Sequence, residues 1–66
     1  MTATYKFYYY TKENNIENQK EYISSYNILQ VRPYFLTDTS NVTEIYRIDI
    51  LADPDGLNTD EALGYN

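Results

Sequence analysis

Ala3-Thr4-Tyr5-Lys6-Phe7-Tyr8-Tyr9-Tyr10-Thr11 is the stretch on which the fold turns. Its odd positions Ala3, Tyr5, Phe7 and Tyr9 are apolar, while Thr4, Lys6, Tyr8 and Tyr10 form a half-polar aromatic set, which is the alternation of a strand with two unlike faces. Aromatic and threonine enrichment favours the same reading. Glu13-Asn14-Asn15 then breaks the pattern with turn formers. A second strand is expected over residues 42–52, where Val42, Tyr46, Ile48, Ile50 and Ala52 share one phase, interrupted by Glu44, and Thr43, Ile45, Arg47, Asp49 and Leu51 take the other.

Between these strands the pattern is weaker. Residues 28–36 are rich in apolar side chains and reach the second strand through Thr37-Asp38-Thr39-Ser40-Asn41, a set of turn formers suited to a hairpin loop. Pro33 removes a backbone donor, so a strand there would be bent or interrupted. In residues 16–29, Ile16, Gln19, Tyr22, Ile23, Tyr26 and Leu29 recur at helical spacing, yet the run from Tyr22 has poor helix formers and reads better as strand. The expected fold is therefore mainly β: a small three-stranded antiparallel meander with a bent central strand. Its alternative form has a short helix between strands 1 and 2. Residues 1–52 make the sheet body and 53–66 an acidic C-terminal arm of the same domain.

Length limits the chain to one core, since 66 residues leave no room for a second. A domain this small buries only about 60% of its unfolded surface, so its stability margin is thin. With no cysteine and no histidine, neither a disulfide nor a Cys/His zinc site can widen it. Self-association as a dimer or docking on a larger protein is expected to contribute. The absence of cysteine fits a reducing compartment, and no run approaches the roughly 20 apolar residues of a membrane helix, so a cytoplasmic location without membrane contact is expected.

The formal net charge is -5, and it is unevenly spread. Lys6, Lys12, Lys20, Arg32 and Arg47 are balanced by Glu13, Glu17, Glu21, Asp38 and Glu44, which leaves Asp49, Asp53, Asp55, Asp60 and Glu61 as the excess. Direct nucleic-acid binding needs a basic face, and scattered cations do not make one. A protein partner with a basic surface is the expectation. The acids of the arm are expected to be exposed and to matter little for folding.

Catalysis by a nucleophile and base is disfavoured, because neither histidine nor cysteine is present. Paired carboxylates would need a concave site that separates their pKa values, and so short a chain has little depth for one. No enzyme activity and no cofactor are expected. Asp53-Pro54-Asp55-Gly56-Leu57-Asn58-Thr59-Asp60-Glu61-Ala62-Leu63-Gly64 is the most motif-like stretch. It resembles the second half of a bacterial thrombospondin type 3 calcium repeat, and that resemblance implies Asp53, Asp55 and Asp60 or Glu61 as ligands. An EF-hand loop with Gly56 as its turn glycine would begin at Leu51 and close at Ala62, neither of which supplies a ligand. The simpler reading is an Asp-Gly turn, then a short helix capped by Thr59 and ended by Gly64, with no metal.

Nine tyrosines are the other unusual feature. Tyrosine serves equally as core ring and as contact surface, and here both uses are expected. Tyr8 and Tyr10, facing away from Tyr5, Phe7 and Tyr9, are the candidate contact pair, together with Asp49, Asp53, Asp55, Asp60 and Glu61. The leading expectation is a small acidic protein-binding module. Its sharpest form is an inhibitor whose carboxylates stand in for phosphates in the nucleic-acid site of a partner enzyme, as in the loose class of small acidic inhibitors of viral or plasmid origin. The alternatives are an assembly protein that self-associates through sheet edges, and a ligand- or calcium-binding module.

Overall fold

The computed structural model describes residues 1–13 and 16–65; Asn14 and Asn15, read above as part of a turn, lie outside the described residues. Three antiparallel strands form one open sheet: β1 (Ala3–Thr11), β2 (Glu17–Ser24) and β3 (Val42–Ala52). Helix α1 (Val31–Asp38) lies between β2 and β3 in the chain, and a short turn of helix, α2 (Asp60–Leu63), follows β3. The mainly β antiparallel architecture and the C-terminal helical turn are those expected from sequence. The strand order is β2-β1-β3, so the first strand, not a long middle one, is central.

Residues 17–24 are strand, so the ambiguous stretch is extended earlier than expected, while the strand expected from Tyr22 onward holds only to Ser24 and residues 25–30 are bend and turn. The residues expected to form the central strand contain α1 instead. Asn27 organises the turn that precedes it: its side chain accepts from the Leu29 amide at 3.0 Å, and the Gln30 side chain returns to the Asn27 amide at 3.4 Å. The Asn27 carbonyl also accepts from Gln30 and Val31, and Gln30, the N-cap of α1, makes no side-chain cap. Pro33 falls in the first turn of α1, where a missing N–H leaves no helical bond unmade. Thr37 and Asp38, expected in a hairpin loop, close the helix. The chain then enters β3 through Asn41, whose positive φ of 63° is one that asparagine tolerates.

The core forms on one face of the sheet. Ala3, Tyr5, Phe7 and Tyr9 of β1 are buried, as their phase requires, against Val31 and Phe35, one helical turn apart on α1. Phe35 stacks flat on Phe7 with centroids 3.8 Å apart, and Tyr22 meets both rings edge-on at 5.9 and 5.4 Å. The perpendicular pairs add to what burial alone contributes.

Against β1, β3 slips register between Thr4 and Tyr5, between Tyr8 and Tyr9, and between Tyr10 and Thr11. Each slip inserts an extra β3 residue, a bulge, so the expected alternation of β3 does not hold. Ile45, assigned by phase to the polar side, is buried opposite Tyr9. Tyr46, assigned to the side of Ile48, turns to the opposite face. There it lies against Tyr8 and Tyr10.

Candidate functional site

Only one face of the sheet is covered. Helix α1 and the segment after β3 both pack on the face of Tyr5 and Phe7, and no described residue of the other face is buried. Strand register arranges this open face in rows: Glu17, Tyr10 and Glu44; then Gln19, Tyr8 and Arg47; then Glu21, Lys6 and Asp49; then Ile23, Thr4 and Ala52. At its centre Tyr46 bridges Tyr10 and Tyr8, with ring centroids at 5.0 and 6.1 Å. The three rings therefore form one aromatic patch, and Tyr46 keeps 41% of its surface exposed.

Charge surrounds that patch. The Arg47 guanidinium and the Lys6 ammonium lie 5.0 and 5.6 Å from the Tyr8 ring centroid, within cation–π range. Arg47 donates from Nε to Asp49 at 2.8 Å, and this is the one ion pair within 4 Å among the described residues. Hydrogen bonding to Arg47, aided by the Tyr8 hydroxyl, holds the Asp49 carboxyl below its ordinary pKa. The Tyr46 hydroxyl is raised above its ordinary value by partial desolvation and then by the nearby Glu17 carboxylate. Around the rings the carboxylates of Glu17, Glu21, Glu44 and Asp49 outnumber the cations Lys6 and Arg47. The open face is thus aromatic at its centre and acidic at its rim.

Of the candidate residues, Tyr8, Tyr10 and Asp49 share this face. The others do not. Asp53, Asp55, Asp60 and Glu61 belong to a segment that folds back over the α1 side, where Leu57 packs against the core. Both Asp53 oxygens are engaged, accepting from the Leu57 amide at 2.8 Å and the Asn58 amide at 2.9 Å. Asn58 in turn accepts from the Ile28 amide at 2.7 Å and donates to the Tyr5 hydroxyl at 3.0 Å, which itself donates to the Tyr26 carbonyl at 2.7 Å. Asp55 accepts from the Thr2 amide at 3.0 Å. The segment is a clasp tied to the body, and Asp53 organises it, which corrects the expectation that its acids are all exposed and idle in folding. Thr59 caps α2 by accepting from the Ala62 amide, and Gly64 ends it at φ 86°, as expected.

Among the described residues no three acidic side chains converge as a ligand set, and the Asp53 oxygens already serve backbone amides. No pocket is present among the described residues either, so the open face offers no recess for a small ligand. Tyr46, Glu17, Glu21 and Glu44 join the candidate residues only through the open face, and the sequence alone does not single them out. The bulge that turns Tyr46 outward leaves no composition signal. The glutamates were legible only once β2 was known to flank β1. Comparison with family models, with curated proteins and with solved structures finds no match.

Proposed function

We propose that this protein is a small acidic protein-binding module that lays the open face of its sheet on a basic surface of a protein partner. The observation that carries this reading is the cluster of Tyr8, Tyr10 and Tyr46 on an uncovered sheet face, bordered by Glu17, Glu21 and Glu44. Tyrosines supply rigid contact area with polar tips, and a charged rim steers encounter and sets orientation. In its sharpest form the partner is an enzyme whose nucleic-acid site the carboxylates occupy in place of phosphates. Such a site is basic and shallow, which matches an open acidic face better than a pocket ligand does. The clasp acids Asp55, Asp60 and Glu61 then play a secondary part, through long-range attraction.

The test pairs wild type with a Tyr10→Ser/Tyr46→Ser variant in affinity capture, with duplex DNA as competitor. Loss of the captured protein from the variant, and its release by DNA, are expected. Equal capture by both proteins overturns the open-face reading, and capture indifferent to DNA overturns the mimicry form. Self-association through sheet edges is the second reading. It draws on β2, an edge strand without a register slip, and is checked by the dependence of mass on concentration.

A further inference from the structure

The two edges of the sheet are unlike. On β3 the bulges interrupt the ladder, and an interrupted edge is a poor template for another strand. β2 pairs with β1 without a break from Glu17 to Ser24, and its backbone is joined to no described element other than β1. Its outward peptide groups therefore form a regular, unused ladder. Such an edge is where an extended segment adds as a further strand.

Charge decides between the occupants. A second copy pairing antiparallel about a two-fold axis overlaps most when centred on Lys20 or on Glu21, and either register sets that residue against its own counterpart. Like charges directly opposite one another oppose pairing. On the open-face side β2 presents Glu17, Gln19, Glu21 and Ile23, with Ile23 68% exposed and neither glutamate in an ion pair among the described residues. Lys20 projects from the other side, toward Thr39 at 3.5 Å.

We infer that the β2 edge accepts an extended basic segment of a protein partner as a fourth, antiparallel strand. Antiparallel register gives the segment its pattern, read from its N-terminus: an apolar residue opposite Ile23, any residue, a lysine or arginine opposite Glu21, a neutral or acidic residue opposite Lys20, two further residues, and a second lysine or arginine opposite Glu17. Main-chain bonds supply affinity, and the alternate side chains supply selectivity. This inference rests on the reading of the partner as basic, and it names the element of that partner that would be held.

The experiment is fluorescence anisotropy with a labelled synthetic peptide, Thr-Val-Thr-Lys-Ser-Thr-Thr-Lys-Thr, added to the full chain. Saturable binding to wild type is expected. Glu17→Lys/Glu21→Lys should weaken it about tenfold or more. A peptide with glutamates in place of its lysines should bind that variant and not wild type. A peptide N-methylated at alternate residues on its ladder-forming side should lose binding, because it cannot pair with the edge. Equal binding of the methylated peptide overturns the inference in favour of diffuse charge attraction. Absence of saturable binding to wild type overturns it too. Tyr10→Ser/Tyr46→Ser should still bind the peptide saturably and still fail to bind its methylated form. If the peptide fails while that variant still loses its captured partner, the edge inference falls and the open-face reading stands.

Discussion

The rings of Phe7 and Phe35 lie within 2° of parallel, centroids 3.8 Å apart, and both side chains are fully buried. This contact joins sheet to helix, and Tyr9 and Tyr22 close around Phe35 edge-on, each at 5.4 Å. Phe35→Ala should cost about 3–5 kcal/mol, comparable with the whole stability of so small a domain. The variant is expected to be largely unfolded at 25 °C by circular dichroism. Phe35→Leu keeps most of the volume and should fold with a loss of about 1–2 kcal/mol in urea titration.

The clasp acids should separate sharply when tested singly. Asp53→Ala removes the acceptor of two backbone amides and should lower stability by about 1–2 kcal/mol, the cost of losing a strong cap. Asp60→Asn and Glu61→Gln should each stay within about 0.5 kcal/mol of wild type. Thermal melts of the three variants check this. Equal effects would mean that the Asp53 bonds are not maintained in solution.

Alkaline pH should reveal the Tyr22–Asp38 bond. The Tyr22 hydroxyl donates to the Asp38 carboxylate at 2.5 Å, and this bond, with some desolvation and the carboxylate charge, pushes its pKa from 10.0 up to about 12. A folded-state pKa above the unfolded one means that the folded state holds the proton longer. The contribution is therefore complete below about pH 10 and is lost as pH rises through about 12. Other tyrosines and the lysines ionise in the same window, so the measurement is the difference in melting temperature between wild type and Tyr22→Phe. That difference should be largest below pH 10 and shrink above it; a constant difference would show that the bond is not what Tyr22 contributes. Its size should be modest, since the pair is exposed to solvent.

Millimolar calcium should leave the melting temperature unchanged. Any cation bound by Asp53 would have to compete with the Leu57 and Asn58 amides, and the remaining clasp carboxylates do not converge. A stoichiometric site at micromolar affinity in isothermal titration would contradict this.

What could be read in the sequence was the part governed by strict alternation. β1 lies where its pattern puts it, with Ala3, Tyr5, Phe7 and Tyr9 inward and Tyr8 and Tyr10 outward. The helix is not legible because α1 carries no local start or stop signal: Gln30 makes no side-chain cap, its first turn has no acid and its last turn no base, and the apolar residues around Pro33 suit a strand as well. Tyr46 was misplaced because a bulge is a property of pairing: phase counted along β3 alone cannot register the residue that β1 leaves unmatched. The clasp was misjudged for a related reason. Asp53 and Asn58 acquire their roles from Ile28 and Tyr5, remote in the chain, and nothing local marks them.

The hydrogen bond from Asn58 to Tyr5 joins residues 53 positions apart, as does that from Thr2 to Asp55. Because β1 is flanked by both other strands, the β1–β2 hairpin alone cannot bury Phe7, and an isolated two-stranded ribbon is marginal in water. The β1–β3 ladder demands closure of a loop that includes β2 and α1, an entropic cost met before any of its contacts are gained. Folding should therefore be slow for a chain of this size and all-or-none, and a chain cut after α1 should not retain the structure of its N-terminal half.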